Sequence, residues 1–237
     1  MARGQRRGPG LLITLEGIEG SGKSTQAKRL AAFLRTMGYS TIETREPGGT
    51  PLAEKIRSVL LERTTEPFAP ETEAFLVFAA RRQHMSQVIQ PALRRGQIVL
   101  CDRFSDSTLA YQGYARGLEI QLLRKMNRIA TESIRPDLTL LFDVPVETGL
   151  GRRRRALVTN RLDKETARFH RRVRAGFRSL ARHEPDRITV INATRNEEAV
   201  AAEVSKAVTR VLRRFSGPIP RPSRLAELPR RIRHAVR

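Results

Sequence analysis

The chain has 237 residues and a formal net charge of +21, with 45 Lys and Arg against 24 Asp and Glu. That length suits one α/β domain with a well-filled core, and no apolar run approaches the roughly 20 residues of a membrane-spanning helix. The single cysteine, Cys101, excludes an internal disulfide framework; with a basic start that lacks an apolar centre, it points to a reducing, cytoplasmic setting. The positive excess keeps two readings open. Phosphate contacts with nucleic acid would use it. An arginine-biased composition with no such partner would also produce it, since lysine occurs only at 23, 28, 55, 125, 164 and 206.

In chain order, residues 11–16 form a short apolar run that stops at glycine, the pattern of a buried parallel strand. A helix is expected over 24–36, with Ala27, Leu30, Ala31 and Leu34 on one stripe and Gly38 as its stop. Strands at 41–45, 98–101, 138–142 and 188–191 alternate with helices at 52–61, 71–90, 118–133, 161–182 and 197–213. Strands alternating with helices imply a three-layer α/β fold, here a five-stranded parallel sheet flanked by helices, with ligands at the carboxyl ends of the strands. The residues able to do chemistry, at 16–24, 45–50, 101–112 and 143–161, all follow strands. Residues 1–10 read as a basic extension, and 11–214 as the domain, with a short lid at about 150–165. Residues 215–237, rich in Pro and Arg, read as a disordered or loosely attached tail and a candidate for polyanion contact.

The segment Gly17, Ile18, Glu19, Gly20, Ser21, Gly22, Lys23, Ser24 fits G-x-x-x-x-G-K-[ST] between a strand and a helix. It therefore reads as a P-loop, in which backbone N–H groups and a helix N-terminus cradle phosphates. Lys23 can reach the β- and γ-phosphates and Ser24 can bind Mg²⁺, with Thr25 next in the helix. This establishes nucleotide binding without separating a kinase from another NTPase. Asp102, ending the third strand, reads either as the acidic residue of the Mg²⁺ shell or as a helix cap.

Two segments go further. Thr44 to Thr50 reads T-R-E-P-G-G-T, and Asp102 to Gly113 reads D-R-F-S-D-S-T-L-A-Y-Q-G. With Ala79 to His84 and Phe169 to Phe177, they resemble the bacterial thymidylate kinase family over roughly residues 11–213. The resemblance implies transfer of the γ-phosphoryl group of ATP to dTMP with Mg²⁺, by a homodimeric enzyme of dTTP synthesis. It implies that Arg103 holds the dTMP phosphate, that Arg81, Thr108 and Gln112 read the base beside Ser107, and that Tyr111 packs under the sugar. Glu19 would lie near the 3′-hydroxyl and the metal, and Glu46, Pro47 and Arg57 would line the same pocket. Val77 stands where the family carries the phenylalanine that stacks on thymine, so Phe78 is the candidate stacking ring. The loop has no arginine of its own, so the lid's Arg161 is the expected catalytic cation, and Arg152 the one packing on adenine. Another P-loop nucleoside monophosphate or nucleoside kinase is the alternative.

Overall fold

The structure, a computed structural model, describes residues 10–62, 66–154 and 161–215. The expected tail beyond 215, most of the expected N-terminal extension, and residues 155–160 of the expected lid lie outside them.

Five parallel strands, β1 (Leu11–Glu16), β2 (Thr41–Arg45), β3 (Ile98–Asp102), β4 (Leu138–Asp143) and β5 (Ile188–Asn192), run in the order β2-β3-β1-β4-β5. The three inner strands are buried almost throughout, whereas the edge strands β2 and β5 are only partly buried. This is what a sheet covered on both faces requires of its sequence. Leu11, Ile13 and Leu15 enter the large core, while Leu12 joins Met85, Val99 and Phe104 in a smaller one. The helices are α1 (Lys23–Thr36), α2 (Pro51–Leu61), α3 (Pro70–His84), α4 (Gln90–Arg94), α5 (Ser105–Thr108), α6 (Ile120–Thr131), α7 (Val146–Arg154), α8 (Ala167–His183) and α9 (Glu197–Phe215).

All five strands fall where the sequence places them; the helices differ in instructive ways. The helix expected over 71–90 runs on through a π-helical turn, Met85–Ile89, into α4. Pro91 has no N–H to donate one turn back, and the wider turn accommodates it. Residues 105–115, read only as a motif, are helical: α5 continues into π-helical Leu109–Ala115. Gly113 lets α6 pack closely on this segment, where a Cβ would lie 2.4 Å from Ile120 Cδ1. The helix expected from residue 161 begins instead at Ala167, where the Thr166 hydroxyl accepts the Phe169 N–H at 3.2 Å, an N-cap that separates it from the 3₁₀ turn Arg161–Lys164. Helix α7 was not foreseen; its basic sequence carries little apolar periodicity.

Candidate active site

Each site segment leaves the carboxyl edge of the sheet. After β1 the chain turns through the P-loop into α1. Gly20 takes a φ of 70°, and a Cβ there would lie 2.1 Å from the Gly149 carbonyl oxygen on α7, so loop and α7 can meet only as glycine against glycine. The Lys23 ammonium is buried and donates to Gly17 O at 3.1 Å, Ile18 O at 2.8 Å and Ser21 Oγ at 3.2 Å. Burial, with Arg103 nearby, lowers its pKa to about 8. The cation is thus lost above about pH 8, and kcat/KM for ATP, which reports the free enzyme, is expected to fall as pH rises from 8 to 10. An ATP profile that stays flat through pH 10 would contradict the lowered pKa, because the Lys23 ammonium would then still carry its charge.

Ser24 Oγ donates to Asp102 Oδ2 at 2.9 Å, while Asp102 Oδ1 is buried with no hydrogen-bond partner among the described residues. A hydroxyl and a carboxylate side by side, one oxygen unsatisfied, fit Mg²⁺, which takes few protein ligands and completes its shell with phosphate and water. Among the described residues no group of three or more His, Cys, Asp or Glu forms a self-sufficient metal cage. Glu19, the third residue expected near the metal, is held elsewhere: Arg103 Nη2 donates to its Oε1 at 2.9 Å, and the Tyr111 hydroxyl lies 2.8 Å from both of its oxygens. Burial would raise the Glu19 pKa, but Arg103 and Lys23 bring it below the usual value.

Beside the loop opens a cavity of about 300 Å³. Its walls bring together Glu19, Lys23, Ser24, Glu46, Pro47, Arg57, Arg81, Asp102, Arg103, Ser107, Thr108, Tyr111, Gln112 and Arg161. Three cations, Arg45, Arg57 and Arg103, line it near the strand ends. Arg57 Nη1 donates to Pro47 O at 2.8 Å, and Arg103 Nη1 to Gly17 O at 2.9 Å and Ser107 Oγ at 3.3 Å. Deeper, Arg81 is almost fully buried, gripped by Glu46 Oε2 at 2.7 Å, Thr108 Oγ1 at 2.9 Å, Asn127 Oδ1 at 2.7 Å and Phe104 O at 3.0 Å. Behind it His84 bridges Glu46 Oε1 at 3.0 Å and Thr44 Oγ1 at 2.6 Å.

Two expectations change. Val77, not Phe78, lines the cavity, and Phe78 turns into the large core with its ring 5.8 Å from the Arg81 guanidinium. Residues 73, 77 and 81 form one stripe of α3, and Phe78 sits about 100° round from Val77, so no Phe78 stacking surface faces the site. Arg161 does line the cavity, but its bonds run to Leu60 O at 3.0 Å and Glu73 Oε2 at 2.7 Å rather than to the P-loop. Arg152 lies outside this cavity, donating to Ala193 O at 3.1 Å. Sequence reasoning missed Glu73 and Asn127, and gave no role to Glu16 or His84, although both lie in segments it singled out. Glu16 accepts from Phe104 N at 2.8 Å and Ser107 Oγ at 2.6 Å, and burial with Asp106 nearby pushes its pKa up to about 7. The spacing of four that links Glu73 and Val77 to Arg81 was the available signal for Glu73.

Comparison with known proteins agrees with this architecture. Residues 15–204 match the family model described as thymidylate kinase. The chain is 56% identical to a thymidylate kinase of Thermomicrobium roseum over 85% of its length and 96% of the relative's. It is 47% identical to one of Desulfovibrio desulfuricans over 86% of this chain and 97% of the other. Among solved structures, a thymidylate kinase from Ehrlichia chaffeensis superimposes with a TM-score of 0.68 at 36% identity, covering 84% of this chain and 99% of that one. A P-loop before a serine–aspartate pair, beside a cavity lined with arginine, is thus set in a chain alike over nearly its whole domain: the protein belongs to the thymidylate kinase family.

Proposed function

We propose that the enzyme transfers the γ-phosphoryl group of ATP to dTMP, giving dTDP for dTTP synthesis. The observation that carries this reading is the single cavity that joins the P-loop lysine to Arg103, Arg81 and Gln112. ATP phosphates lie along the P-loop N–H groups and the start of α1, with Lys23 as the side-chain cation. Ser24 and Asp102 hold Mg²⁺, which when bound neutralises charge on the phosphate oxygens. Arg103, with Arg57, holds the dTMP phosphate in line with the donor. Arg81, Thr108 and Gln112 face the base, Tyr111 packs by the sugar, and Glu19 fixes both Arg103 and Tyr111. A phosphoryl-transfer transition state spreads charge over its equatorial oxygens, so positioned cations carry the catalysis and no strong base is needed. A coupled assay of ADP release with dTMP, dUMP, dCMP, dGMP and AMP tests the assignment: dTMP is expected first and dUMP modestly behind, one methyl being worth about 1–3 kcal/mol. A purine monophosphate turned over as well as dTMP would overturn it.

Arg161 takes part, in this reading, by exchanging Glu73 for phosphate oxygens as the reaction proceeds, and Arg152 serves the adenine side. Interactions made only in the transition state appear in kcat. Arg161→Ala is therefore expected to lower kcat roughly ten- to a hundred-fold, about 1.4–2.7 kcal/mol, with calorimetric dTMP and ATP affinities within a few-fold. An affinity loss at normal kcat would make it a substrate anchor instead.

Two further parts of the reading concern the setting. No helix among the described residues is long and apolar enough to cross a membrane, and we place the enzyme in the cytoplasm, where ATP and dTMP are made. We also read it as a homodimer. Leu52 and Val59 on α2, Phe75 on α3, and Leu122 and Ile129 on α6 are large apolar side chains left exposed, Ile129 by 77%. The pairs on α2 and α6 each lie seven residues apart, two turns on one face, and α3 packs against both helices. Sedimentation equilibrium is expected to give twice the chain mass, and Phe75→Asp with Ile129→Asp to give the monomer. A monomeric wild type would contradict this.

A further inference from the structure

Glu73 is buried at 2% exposure on the cavity face of α3, and three donors converge on it. Gln112 Nε2 donates to Oε1 at 2.6 Å, Arg161 Nη2 to Oε2 at 2.7 Å and Arg116 Nη2 to Oε2 at 3.2 Å. Burial alone would raise its pKa, but Arg116, Arg161 and the Gln112 amide bring it below the usual carboxylate value. The group is therefore an ionised carboxylate, which accepts hydrogen bonds and has none to give. That settles which end of the Gln112 amide faces it: the NH₂. The other end, Oε1, receives no hydrogen bond among the described residues, and Gln112 lines the cavity.

We propose that Glu73 is a positioning residue that sets the base specificity of the acceptor site, by fixing Gln112 with its carbonyl oxygen toward the base. The proposal rests on the dTMP reading above and says how that site tells thymine from cytosine. Thymine and uracil carry a hydrogen on N3, which an acceptor at this wall matches. Cytosine carries a lone pair on N3, which the same acceptor repels. Arg81 adds a second discrimination of the same sense. Four of its five N–H groups are engaged by Glu46, Thr108, Asn127 and Phe104. The fifth suits a carbonyl at C4 and opposes the C4 amino group of cytosine. One stripe of α3 thus reads the base twice, directly through Arg81 and at one remove through Glu73. With a neutral partner at 73, the Gln112 amide is free to turn over and offer N–H to cytosine N3.

Initial rates with dTMP, dUMP and dCMP at saturating ATP, and with ATP varied at saturating dTMP, on wild type, E73Q and E73S, test this, with N3-methyl-dTMP as a further substrate for wild type. Wild type is expected to favour dTMP over dCMP at least 100-fold in kcat/KM. E73Q and E73S are each expected to cut that ratio at least tenfold by raising KM for dTMP relative to dCMP, with KM for ATP within twofold. N3-methyl-dTMP, which lacks the N3 hydrogen, is expected to lose at least tenfold on wild type. Thermal melts by circular dichroism identify which variant is folded, and either one suffices. A ratio unchanged in a folded Glu73 variant, or N3-methyl-dTMP used as well as dTMP, overturns the proposal. Wild type with no preference for dTMP over purine monophosphates overturns the parent assignment instead.

Discussion

Lys23→Met is expected to lower kcat by on the order of 10³-fold, about 4 kcal/mol of transition-state stabilisation. The P-loop, residues 17–24, contains no other cationic side chain, and the Lys23 ammonium is poised over its own loop by Gly17 O, Ile18 O and Ser21 Oγ. These partners are neutral carbonyl and hydroxyl groups, so phosphate oxygens are stronger acceptors for the same charge. The substitution keeps an apolar stem of similar length and removes only the charge. Preorganised cations in a water-poor site account for a large share of phosphoryl-transfer catalysis, so the loss falls on turnover. Steady-state kinetics with a thermal melt measures it. A folded Met variant within tenfold of wild-type kcat would remove Lys23 from the mechanism.

Arg103→Lys is expected to reduce kcat/KM for dTMP at least 100-fold while KM for ATP stays within a few-fold. Arg103 adopts a φ of 69°, a left-handed backbone that costs a non-glycine residue about 1–2 kcal/mol. Strain of this kind persists where the surroundings over-determine it, and here they do. Its N–H donates to Leu15 O at 3.0 Å, its guanidinium bonds Gly17 O, Ser107 Oγ and Glu19, and that group lies 5.1 Å over the Tyr111 ring. The outcome is a planar fork aimed along the cavity wall, able to grip two phosphate oxygens at once. Lysine keeps the charge but offers a single point donor. Unchanged dTMP efficiency in a folded Lys variant would show that the phosphate rests on Arg57 and Arg45 instead.

The strands and the P-loop were legible because their causes are local. An apolar run bounded by glycine has few other solutions, and the glycine spacing of a phosphate loop reflects backbone needs that no tertiary contact overrides. The acceptor pocket was legible only through resemblance, since its partners lie far apart in the chain: Arg103 bonds Glu19 across 84 positions and Gln112 bonds Glu73 across 39. Glu73 and His84 look like ordinary polar residues of a surface helix until the π-helical segment brings Gln112 to Glu73 and the end of β2 brings Thr44 and Glu46 to His84. The Phe78 expectation failed on helix phase, where one residue decides between cavity and core. For Arg161, register in the chain gave its neighbourhood but not its present partner, because Glu73 draws it to the base-side wall.

The central claim, that one cavity serves direct transfer from ATP to dTMP, is tested most directly by following label from [γ-³³P]ATP with chromatographic separation of products. Incubated with Mg²⁺ and dTMP, the enzyme is expected to place the label in dTDP in step with ADP formed, and to release little labelled inorganic phosphate. Label accumulating as inorganic phosphate at a rate independent of dTMP would show an ATPase, and the account of the acceptor site given by Arg103, Arg81 and Gln112 would be wrong.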